Sequence, residues 1–204
     1  MAEILVLTTG GTIGALPVED VIRQPDIKTM PPDRRDSVRQ ALASSFASIK
    51  TRCVSLEPRD SKFIDEAYRI EVLKTIESAP EERVLITHGT DTLLETAAFF
   101  YQTLLIHPTL KNKVIVVTGS MVPLANGKES DGYRNIDFAL KHLQSCPLGP
   151  SKINIVLCGF DLPEEQKGDW RPRLYPYQPK KYVKFFHPSD DRLSCLLVRS
   201  DIKT

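Results

Sequence analysis

Apolar residues in this chain gather into short, mostly β-branched runs: Ile4-Leu-Val-Leu, Val84-Leu-Ile, Val114-Ile-Val-Val and Ile153-Asn-Ile-Val-Leu. Runs this short, without polar alternation, are the mark of strands buried on both faces, so each reads as a parallel strand. Between them lie segments with apolar residues at helical spacing, over 34–49, 64–78, 91–105 and 131–145. Strands and helices in this alternation predict a doubly wound α/β sheet. Ligands of such sheets bind beyond the carboxyl ends of the strands, which directs attention to the loops there.

Those loops are rich in glycine and hydroxyl residues. Thr8-Thr9-Gly10-Gly11-Thr12-Ile13-Gly14 follows the first strand, Thr87-His88-Gly89-Thr90-Asp91-Thr92 a middle one, and Thr118-Gly119-Ser120-Met121 the next. The first loop has neither the G-x-G-x-x-G spacing of a dinucleotide site nor the G-K-[ST] ending of a phosphate loop, which counts against nucleotide binding. Residues 15–33, polar and closing on Pro31-Pro32, read as a mobile loop. From Phe160 onward proline and aromatic residues concentrate and no helical period is evident. That tail reads as an arm around the domain, a surface for another subunit, or a connection to a further domain.

Composition narrows the function classes. With 204 residues, Lys+Arg 27 against Asp+Glu 26 and 41% hydrophobic residues, the chain has no basic field to hold a phosphate backbone. Nucleic acid is therefore not expected as a partner. No apolar stretch approaches the roughly 20 residues a bilayer requires, so no membrane association is expected either. Met1 leads directly into an apolar strand without the features of a secretory signal, which gives a cytoplasmic expectation. Cys53, Cys146, Cys158 and Cys195 form no C-x-x-C pair, and His88, His107, His142 and His187 lack ligand spacing; neither a metal nor a cofactor is expected.

Two motifs in order, Thr9-Gly10-Gly11-Thr12-Ile13 and Ile86-Thr87-His88-Gly89-Thr90-Asp91-Thr92, resemble those of the bacterial-type L-asparaginase and glutaminase-asparaginase family. Glu95-Thr96-Ala97, Gly119-Ser120-Met121-x-Pro123 and Asp131-Gly132-x-x-Asn135 extend the resemblance over about residues 3–160. It implies the family's N-terminal domain, a flavodoxin-like, three-layer, mostly parallel sheet at residues 1–160. The remainder, 161–204, is then an aromatic and proline-rich extension in place of the family's C-terminal domain.

The resemblance also implies a chemistry: hydrolysis of L-asparagine, or a related amide, to the acid and ammonia through a threonine nucleophile and an acyl-enzyme. Thr12 matches the nucleophile, and Thr90 with Asp91 matches the pair that assists it. Asp91 would also receive the substrate's α-ammonium, Ser61 its α-carboxylate, and Gly11, Gly89 and Ser120 line the substrate. From the residues alone, Thr12, Thr90 and Ser61 could instead cap the helical turns that follow them, and Asp91 could be an acidic first-turn residue.

The family's loop tyrosine has no counterpart in residues 14–33. The family lysine that completes the Thr-Asp set, counted fifteen residues from Asp131, falls on Cys146. Lys141 lies about 140° round the helix from that position, Lys152 beyond Pro147 and Pro150, and His142 one turn before it as a substitute. Family members complete the site from a neighbouring subunit, so a homo-oligomer is expected. A binding protein without turnover, or a subunit of a larger amidase complex such as the asparaginase-like subunit of the glutamyl-tRNA amidotransferase, are the other readings.

Overall fold

The structure, a computed structural model, describes residues 3–15, 36–107, 110, 112–148, 152–158, 172–176, 182–187 and 190–198. The predicted runs form strands β1 (Ile4–Gly10), β3 (Arg83–Thr87), β4 (Val114–Thr118) and β5 (Lys152–Cys158). To these are added β2 (Thr51–Arg59) and β6 (Pro172–Pro176), in a sheet of order β2-β1-β3-β4-β5-β6. The first five pair in parallel and β6 joins β5 antiparallel. A separate two-stranded ladder pairs β7 (Tyr182–His187) with β8 (Asp190–Val198). The doubly wound, mostly parallel α/β expectation therefore holds.

Among the described residues, four α-helices cover the sheet: α1 (Ser37–Ser44), α2 (Glu66–Ser78), α3 (Leu93–Ile106) and α4 (Asp131–Ser145). Successive side chains of β1 alternate between its two faces. Leu5 and Leu7 pack with Val72, Ile76, Ala97 and Phe100 of α2 and α3, while Ile4 and Val6 pack with Val38, Leu42, Ile136 and Leu140 of α1 and α4. All four β1 side chains are fully buried, each contributing about 1.5–3 kcal/mol of hydrophobic stabilisation. Asp36, Asp65 and Ser130 cap α1, α2 and α4 by accepting the N–H groups that a helix start leaves unpaired.

Five elements differ from the sequence expectation. Strands β6, β7 and β8 fall in the tail, where no apolar run reads as a strand. The first helix is shorter than 34–49, ending at Ser44, whose hydroxyl turns back onto the Gln40 carbonyl at 2.9 Å, a bond that competes with further winding. Strand β2 has no counterpart among the predicted runs. It is an edge strand, paired only with β1 and only partly buried, so it carries polar residues and Pro58 where a central strand would be continuously apolar.

The order β2-β1-β3 reverses direction between β1 and β3, and that switch point is where doubly wound sheets open a crevice. The register sets Thr8, Thr87 and Thr118 side by side along its floor, all buried.

Candidate active site

The loops after β1 and β3 close on each other at the switch point. Gly10 and Gly11 take φ of 96° and 75°, a left-handed backbone that side-chain-bearing residues rarely adopt. The turn brings Gly11 against Gly89 so closely that a Cβ on Gly11 would stand 2.4 Å from the Gly89 backbone. A Cβ on Gly89 would meet the Ser61 hydroxyl at 2.6 Å. Three chain segments far apart in sequence thus interlock here, with Thr12 and Thr90 each the next residue after a contacting glycine.

Neither Thr12 nor Ser61 stands at the cap position of its turn. The short 3₁₀ turn Thr12–Gly14 is entered through Gly11, and Thr12 is its half-buried first residue. Asp60, not Ser61, caps the turn Ser61–Phe63, its carboxylate accepting from the Lys62 N–H at 3.0 Å. Thr92 stands at the cap position of α3 without capping it; its hydroxyl instead donates to the Ser61 carbonyl at 2.7 Å, tying the Asp91 loop to the Ser61 turn. Ser61 is buried. Asp91 is partly exposed and faces a cation, its Oδ2 lying 3.8 Å from Lys62 Nζ.

The third loop contributes Gly119, where a Cβ would touch the Thr90 methyl at 3.1 Å and the His88 carbonyl at 2.7 Å. Ser120 beside it is buried and spends its hydroxyl on the Val122 carbonyl at 2.8 Å. Asp131, at the start of α4, fixes this loop by accepting from the Met121 and Val122 N–H groups at 3.0–3.1 Å. Burial pushes the Asp131 carboxyl above its ordinary range, against the opposing effect of those two N–H donors. Asn135, one turn along, donates to the Gly119 carbonyl at 2.8 Å.

His88 is buried behind the Thr90 loop. Its Nδ1 lies 2.7 Å from the Gly89 carbonyl, which can only accept, so Nδ1 carries the proton. Nε2 then accepts from the Thr96 hydroxyl at 2.9 Å, and that oxygen accepts in turn from Arg69 Nε at 3.1 Å. Burial is the main reason the imidazole pKa falls to about 4, with Arg69 adding to it and the Gly89 bond opposing it. The ring is neutral at physiological pH and serves to hold the Gly89 carbonyl.

The positions expected to supply or replace a lysine do not belong to this site. Arg83, at the amino end of β3, donates to the Cys146 and Leu143 carbonyls at 3.2 and 2.6 Å. Cys146 therefore sits at the opposite end of the sheet from Thr90. His142 shares that last turn of α4, about 16 Å of helix rise from Asp131, and Lys141 pairs with Asp137 at 2.6 Å. The ungapped count follows α4 away from the crevice, because a helix that starts at the carboxyl edge must end at the amino edge. Lys62 is the cation that spacing could not find: nothing in the sequence links it to Asp91 except two turns meeting in space.

The mobile-loop expectation for 16–33 and the aromatic side chains of the tail lie outside the described residues. Among the described residues no group of three or more His, Cys, Asp or Glu could hold a metal ion, and no helix is long and apolar enough to cross a membrane.

The family comparison decides what this arrangement belongs to. The asparaginase N-terminal domain family matches residues 3–152. The chain is a member of the asparaginase family. Two solved asparaginases share its fold: L-asparaginase I from Vibrio cholerae, 20% identical with a TM-score of 0.58, and a probable cytoplasmic L-asparaginase from Campylobacter jejuni, 22% identical with a TM-score of 0.50. The match covers 97% and 75% of this chain but 51% and 44% of theirs, so it spans about half the length of those asparaginases. No curated protein matches.

Proposed function

We propose that this chain bears the nucleophile half of an asparaginase-type amidohydrolase that converts L-asparagine, or a related amide, to the acid and ammonia. The closure of Gly11 on Gly89 carries the reading, because it sets Thr12 and Thr90-Asp91 at one crevice from segments nearly eighty residues apart.

In this reading the Thr12 hydroxyl attacks the amide carbon, its proton passing toward Thr90 and Asp91. That proton is passed on to the amide nitrogen, which leaves as ammonia; water then adds to the acyl-threonine, releasing the acid and returning a proton to the Thr12 oxygen. Gly11 and Gly89 let backbone approach the substrate closely, and Ser61 and Ser120 frame its carboxylate end. Asp91 receives the α-ammonium. Residues 1–160 form the catalytic unit and 161–204 an extension that adds β6 to its sheet; the site is completed by self-association, and the setting is cytoplasmic, like that of the probable cytoplasmic L-asparaginase of Campylobacter jejuni.

Ammonia release from asparagine and glutamine is expected to fall about a thousandfold or more in Thr12→Ala, the scale on which loss of a nucleophile is felt. Unchanged turnover in the variant would refute the assignment. A second reading, an amino-acid-binding domain without turnover, is favoured by the absence of tyrosine between residues 14 and 33. It predicts heat on calorimetric titration with L-aspartate but no ammonia from either amide.

A further inference from the structure

Resting on the proposed amidohydrolase reading, we infer that Lys62 sets the substrate range of this site. By competing for the Asp91 carboxylate, it weakens selection for an α-ammonium group and admits monoamides of plain dicarboxylic acids alongside asparagine.

The turn that carries Lys62 is held from two sides. Asp60 fixes its N–H, and the Thr92 hydroxyl grips the preceding carbonyl of Ser61. Ser61 in turn is wedged against Gly89. Lys62 is thereby tethered beside the loop of Asp91, with 3.8 Å between Nζ and Oδ2. The other cation of this stretch, Arg59, is engaged elsewhere: its guanidinium lies 4.5 Å above the Tyr68 ring and 3.7 Å from Asp65.

Both partners of the Lys62–Asp91 pair are open to solvent, with 66% and 42% of their side chains exposed. A ligand can therefore reach the carboxylate, where its ammonium competes with that of Lys62. Asparagine bears that competing ammonium. Succinamate, which is asparagine without its amino group, does not, and leaves the Lys62–Asp91 pair intact. Lys62 repels the α-ammonium of asparagine and attracts the carboxylate of either compound, so it lowers selectivity between them. The size of the effect is that of an exposed ion pair, about two- to fivefold.

The test compares L-asparagine with succinamate in ammonia release, and L-aspartate with succinate in calorimetric titration, for wild type and Lys62→Gln. The ratio favouring the amino compound is expected to rise about two- to fivefold in Lys62→Gln. A merely structural Lys62 would weaken both compounds alike and leave the ratio fixed. A ratio that stays put or falls in Lys62→Gln, while asparagine or aspartate is still handled, overturns the inference and leaves the amidohydrolase reading standing. If wild type neither turns over nor binds any of the four compounds, that reading falls and the inference with it.

Discussion

Gly11 carries two constraints at once, a left-handed backbone and a neighbour's backbone at touching distance, and a substitution separates them. Gly127 shares the positive φ, at 66°, but has nothing within 4 Å of where a Cβ would stand. Gly127→Ala is expected to cost about 1–3 kcal/mol, the strain of a positive-φ, extended backbone nearly confined to glycine. Gly11→Ala adds a clash with Gly89 backbone that no side chain can relieve and should cost about 1–3 kcal/mol more, as overpacking does. Urea unfolding of the two variants beside wild type checks the difference.

His88 makes a second prediction at this scale. Its pKa is about 4 in the folded chain and about 6.5 when unfolded, so between those values the unfolded state binds more protons. Stability is therefore unaffected above pH 7 and falls as the pH drops through that window, by about 3 kcal/mol at pH 4. His88→Gln removes the titrating ring, so its denaturant midpoint should change less with pH than that of wild type. Equal pH dependence in the two proteins would show that the ring is not held neutral by the fold.

Among the elements, the entry to α1 is the most heavily committed. Asp36 accepts from the Val38 and Arg39 N–H groups and from the hydroxyls of Thr8 and Ser55, the latter at 2.8 Å, so one carboxylate joins α1, β1 and β2. Asp36→Ala strands those donors in a buried setting and should cost about 2–4 kcal/mol, read by thermal or urea unfolding. Most elements were legible because their reason for forming is local. Four apolar residues in a row bury both faces, and the 131–145 pattern matches α4 to the residue. Edge strand β2 was not, since an exposed strand has no apolar run to announce it. Nor was the end of α1, decided by a serine hydroxyl that bonds backward. Positions that depend on two elements meeting were lost for the same reason: Lys62 beside Asp91, Arg69 behind His88, and Cys146 at the far end of α4.

On the scale of the whole molecule, the sheet order does most to place the site. Reversal between β1 and β3 leaves one gap at the carboxyl edge, and the Thr-Gly-Gly-Thr and Thr-His-Gly-Thr-Asp motifs are the two loops that border it. Motif and topology therefore point to the same place independently, which is why this position could be anticipated from the sequence while the identity of its cation could not.

The closed glycine pair also sets how such a crevice can change over evolutionary time. Two backbones already in contact admit no side chain, so the floor is frozen, and any drift in what the site accepts is forced outward to the rim. Residue 62 is such a position. A single codon there can retune recognition while the machinery beneath it stays as it was.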